Sequence, residues 1–85
     1  MNTLTREEIS NAARHVWNMT GGKPRPEVTA ESYRQAAEGM RRIAARAGYG
    51  KSRGITAADA LAKAARQDEL AVEVPAELRR MMAAA

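Results

Sequence analysis

The sequence contains no cysteine and no phenylalanine. Without thiols there can be no disulfide framework, no thiolate zinc site and no cysteine nucleophile. One Trp and two Tyr are the only aromatics. Large aliphatics are scarce too: Leu, Ile and Val make up about 13% of the 85 residues, a level at which disorder has to be weighed. No apolar run approaches the roughly 18 to 20 residues of a membrane span. The opening Met-Asn-Thr-Leu-Thr-Arg-Glu-Glu lacks the pattern of a signal peptide. These absences lead us to expect a soluble, cytoplasmic protein without a membrane partner.

What is present is alanine and charge. Hydrophobic residues reach 45%, mostly Ala, the net charge is +4, and the isoelectric point is about 10.1. The apolar residues are periodic, so the chain reads as folded, a single helical domain over 1–85 with a thin core. A core that thin often needs a second subunit, and a homodimer is expected. The basic balance favours a polyanionic ligand.

Helix starts recur in one form, an aliphatic residue followed by threonine: Leu4-Thr5, Val28-Thr29 and Ile55-Thr56. Thr5 with Glu8 forms a capping box, and Leu4 with Ile9 a hydrophobic staple. Val28 and Tyr33 repeat the staple around Thr29. Thr56 has Asp59 in its first turn, favourable for the helix dipole. Pro75 suits the first position of a last helix. Apolar stripes agree with these starts: Ile9, Ala12, Ala13, Val16 and Trp17; then Tyr33, Ala36, Ala37, Met40, Ile43, Ala44 and Ala47. Weaker faces follow at Ala58, Leu61, Ala62 and Ala65, and at Leu78, Met81 and Met82. Thr20–Pro26 and Gly48–Gly54 read as loops, and Ala71–Val74 as a linker packing its valines. The expected fold is all-α, a small bundle of about four helices, with a helix-turn-helix as the candidate motif. Leu78, Met81 and Met82 are the preferred dimer surface, and the helix carrying Trp17 is the alternative.

Charge is unevenly spread. Arg34, Arg41, Arg42, Arg46, Lys51 and Arg53 face a single acid, Glu38, within 34–53, whereas 67–77 carries Asp68, Glu69, Glu73 and Glu77 and no base. In a helix-turn-helix, Arg41, Arg42, Lys51 and Arg53 would meet phosphates, and Arg46, on the opposite flank, and Ser52 are further DNA-binding candidates. Thr56, Ala57, Lys63 and Arg66, with Gln67, would lie on the helix that reads bases in duplex DNA. An ordinary solvated arginine face is the plainer alternative. The 48–54 connector is also longer than the usual three- or four-residue turn. Either the turn is a variant, or the helices beside it are not the reading pair.

Other signals carry less. Gly50-Lys51-Ser52 has Ala45 where a phosphate-binding loop needs its first glycine. His15 has no second imidazole or thiol with which to share a metal, and Ser10 and Ser32 lack a base and its orienting group. No catalytic residue, metal site or cofactor is expected, and the chain reads as a non-enzyme. Trp17 and Tyr33 read as core anchors.

The compact basic chain, the Thr-Arg-Glu-Glu-Ile-Ser stretch at 5–10 and the basic Ala/Gly segment Ala47–Arg66 resemble the small Kor-type repressors of IncP-type plasmids. That resemblance implies a transcriptional repressor that binds operator DNA and silences plasmid maintenance operons together with a companion repressor. Two other readings stay open. One is a small phage or plasmid protein that inhibits a protein partner through its acidic 68–77 segment and methionine edge. The other is a helical RNA-binding module, which the shortage of exposed aromatics discourages.

Overall fold

A computed structural model describes residues 4–85. Three helices and a minimal β-ribbon follow one another: α1 (Arg6–Met19), α2 (Pro26–Ala47), β1 (Lys51–Ser52), β2 (Ile55–Thr56) and α3 (Ala57–Ala84). The fold is therefore mainly helical, as the periodicity requires, with three helices where four were expected. No helix among the described residues is long and apolar enough to cross a membrane.

Two of the expected starts are realised as read. The Thr5 hydroxyl accepts the Glu8 N–H at 3.1 Å, and Leu4 and Ile9 are both buried at the staple. Thr56 caps α3 by accepting the Asp59 N–H at 3.2 Å. The end of α1 is closed by a Schellman motif. Gly22 N–H donates to the Trp17 carbonyl at 2.9 Å and Gly21 N–H to that of Asn18 at 3.2 Å.

The second start is displaced by one turn. α2 begins at Pro26, whose missing N–H is harmless at a first helical position, and Thr29 is buried inside the helix. Val28 is correspondingly exposed. Ile43, expected at the centre of the buried stripe, is only half-buried.

The third and fourth expected helices are one. Pro75 lies inside α3, and the supposed linker Ala71–Val74 is helical. An interior proline costs a helix about 3 kcal/mol, because it cannot donate to the carbonyl one turn back. Here tertiary packing outweighs that cost. Val74 and Leu78, one turn apart, are fully buried with Ala13, and a break at Pro75 would separate them. Leu78 is thus core, and the expected dimer edge loses its central residue. Met81 packs on the same cluster beside Ala12, Val16, Trp17, Tyr33 and Leu70.

α2 and α3 run antiparallel along their lengths, and their pairings give the register. Glu27 meets Arg79 at 3.4 Å near one end, Arg41 meets Asp68 further along, and Lys51 faces Thr56 in the ribbon at the other end. The numbers in each pair add to nearly the same value, as in a hairpin. Buried Ala37, Ala44, Ala47, Ala60, Ala64 and Ala71 line this arm, small enough for the backbones to approach closely. The molecule is elongated, 49 × 22 × 16 Å, and α3 alone, at 1.5 Å per residue, accounts for about 42 Å of that. A helix-turn-helix would instead cross its two helices steeply after a short turn.

Candidate nucleic-acid interface

The connector expected as a loop is the end cap of the α2–α3 arm. Lys51 pairs with Thr56 and Ser52 with Ile55, leaving Arg53 and Gly54 as a two-residue turn. Their φ values are 52° and 79°, the signature of a type I′ turn, whose twist matches that of the strands it joins. Asn or Gly normally fills the first of these positions. An arginine with positive φ is uncommon, and the side chain it carries is a cation at the tip of the molecule.

The sequence-derived site residues divide into two groups. Arg42 and Arg46, exposed on the last turns of α2, come together with Lys51, Ser52 and Arg53 of the ribbon at one end of the arm. Lys63 lies exposed two turns into α3. Arg42, Arg46, Lys51, Arg53 and Lys63 make no ion pair or side-chain hydrogen bond among the described residues. Asp59 is the only acid between 42 and 63. This end of the protein is electrostatically uncompensated.

Arg41 and Arg66 belong elsewhere. Arg41 holds Glu38 at 3.0 Å and bridges to Asp68, tying α2 to α3. Arg66 pairs with Glu8 and fastens the start of α1 to α3. The Arg66 hydrogen bond holds the Glu8 carboxyl below its ordinary range, helped by charge attraction and Thr5 and opposed by desolvation. That contribution to stability is present above the ordinary carboxylate pKa and fades as pH falls through the lowered one. Thr56 spends its hydroxyl on the cap, and Ala57 is half-buried at the base of the ribbon.

Three of the four carboxylates of the acidic segment are also committed to the fold. Asp68 binds Arg41, a Glu69 carboxylate oxygen accepts the Leu4 N–H at 3.3 Å, and Glu77 lies between Arg6 at 3.5 Å and Arg80 at 3.4 Å. His15 is exposed on α1, and no group of three or more His, Asp or Glu side chains placed to hold a metal ion occurs among the described residues.

Two features escaped the sequence reading. Beside the basic end, a shallow groove of about 370 Å³ runs over Ala36, Gly39, Met40 and Ile43, rimmed by Arg42, Arg46 and Arg53. Tyr49 is wholly exposed. Its flanking glycines were the available signal, because an aromatic between two glycines has no helical stripe to join. Comparison with protein-family models, with characterised proteins and with solved structures gives no match.

Proposed function

We propose that this protein binds nucleic acid, duplex DNA first, through the basic ribbon end of the α2–α3 arm. One observation carries the proposal: five cations clustered between 42 and 63 make no ion pair among the described residues, and Asp59 is the only acid in that stretch. Arg42, Arg46, Lys51 and Arg53 would bind phosphates, and the narrow ribbon would be the element that enters a groove, which accommodates two strands as readily as a helix. This replaces a reading helix with a reading ribbon and keeps the operator-binding repressor, with its companion repressor, as the biological setting. The rival reading, a protein inhibitor acting through the acidic 68–77 segment, is less well supported, because Asp68, Glu69 and Glu77 serve internal contacts.

Titration of random duplex DNA against salt tests the proposal. Four phosphate contacts give a log–log slope of about −3 to −4, from counterion release. A slope near zero removes it.

Two copies remain part of the proposal. Among the described residues Ile9, Val74 and Leu78 are the largest fully buried side chains, and such a core is commonly completed by association. Leu61 and Val72, 52% and 67% exposed and three turns apart on one face of α3, would supply the contact in place of Leu78. Sedimentation should show a dimer at micromolar concentration that Leu61→Asp or Val72→Asp converts to monomer. A monomer at every concentration removes this part.

A further inference from the structure

The chain has three aromatic residues and treats them differently. Trp17 and Tyr33 pack against the core cluster, whereas Tyr49 keeps none of its surface covered, at 112% of its reference exposure. A tyrosine held fully in water gives up the stabilisation its ring would gain from burial. It also stands within three residues of Arg46 and two of Lys51.

Its setting is ordered. Gly50 N–H donates to the Ala47 carbonyl at 2.8 Å, closing a β-turn over Gly48 and Tyr49. Gly48, with φ 54° and ψ −119°, occupies the first central position of a type II′ turn, where a residue with a Cβ is strained. Tyr49 is therefore the second corner residue, projected outward from a hydrogen-bonded turn. On one side lies the last turn of α2, and on the other the basic ribbon. The turn fixes the backbone that carries the ring, so binding has only the side-chain torsions left to order.

We propose that Tyr49 is a base-stacking residue, and that the site accepts nucleic acid with an exposed base face as well as a phosphate backbone. The inference rests on the phosphate-binding reading above and adds to it a second contact of different chemistry. A tyrosine ring stacks on any base, because every base presents a π-face, and the flanking cations would hold the phosphates on either side. The exposed face could come from a single strand or from an unstacked step in a duplex, into which an apolar side chain can wedge.

Four probes distinguish these sources: a short oligothymidylate, an abasic strand of equal length, an intact duplex, and the same duplex with one unpaired bulge. Base stacking is worth about 1–3 kcal/mol per base, so oligothymidylate should bind at least about fivefold more tightly than the abasic strand. Tyr49→Ala should erase that difference and leave abasic binding unchanged, while Tyr49→Phe should retain it. Gly48→Ala, which disturbs the turn without removing the ring, should weaken the preference in a protein that still melts cooperatively. A bulged duplex that gains over the intact one, and loses the gain in Tyr49→Ala, identifies an unstacked duplex base as the ligand. A gain confined to the single strand identifies single-stranded nucleic acid. Equal, salt-sensitive binding of the abasic strand and oligothymidylate overturns the stacking inference and leaves phosphate binding intact. No salt-sensitive binding of any probe overturns both.

Discussion

The two ends of the α2–α3 arm are built on different terms. At one end α1 lies across the arm, burying Ile9, Ala13, Val74 and Leu78, and ion pairs fasten it there: Arg6 with Glu77, Arg66 with Glu8, and on the arm Arg79 with Glu27. At the other end alanines such as Ala44, Ala47 and Ala60 hold the helices together, Met40 and Ile43 are half-buried, and the cations have no ion-pair partner among the described residues. Arginines of the same chain thus serve two purposes, and only their partners tell which. Arg6, Arg41, Arg66 and Arg79 join helices, whereas Arg42, Arg46 and Arg53 have no ion-pair partner among the described residues and are available to a ligand. Stability is concentrated where α1 docks, and binding capacity where it does not reach.

The sharpest way to break this contrast is to remove one aliphatic side chain at each end. Leu78→Ala should cost about 2–5 kcal/mol, since it opens a cavity among fully buried neighbours, and in a domain with about 5–15 kcal/mol of total stability that verges on unfolding. Ile43→Ala, in the open groove, should cost only about 1 kcal/mol, because the side chain is already partly in water. Denaturant titration of both variants checks the asymmetry, and equal losses would mean that the groove end is as well packed as the docked end.

A smaller effect sharpens the comparison from the other side. Arg53 occupies the first central position of a type I′ turn, with a φ of 52° that asparagine tolerates better. Arg53→Asn should stabilise the fold by about 0.5–1 kcal/mol, as the backbone penalty is relieved, and should weaken DNA binding at the same time. Opposite signs in the two measurements are what a residue held for binding produces. If both fall together, Arg53 has a structural role.

The helical class was legible in the sequence because its signals are local. Thr5 with Glu8 and Thr56 with Asp59 each cap a helix through a contact three residues long. Pro75 was misread for the same reason. As a local signal it marks a helix start, but Val74 and Leu78 keep α3 continuous through contacts with Ala13, about sixty residues away in sequence. The β-ribbon was hidden because each strand has only two residues, too few for an alternating pattern, and its turn carries Arg where Asn would have announced it. Within the candidate site, the density of positive charge was visible, and its division was not. Nothing in the order Arg41-Arg42 reveals that the first meets Asp68, 27 residues on, while the second meets no partner among the described residues. Composition finds basic segments, but only the fold subtracts the cations that are already engaged.

That subtraction is the central claim, and the salt dependence of DNA binding in single-alanine variants tests it most directly. Replacing Arg42, Arg46, Lys51 or Arg53 should lower the log–log salt slope by about one unit each, with stability changed by no more than about 0.5 kcal/mol. Replacing Arg41 or Arg66 should leave the slope where it was and lower stability through the lost ion pair. If all six variants shift the slope alike, or if Arg41 and Arg66 shift it most, the distinction between paired and unpaired arginines is wrong.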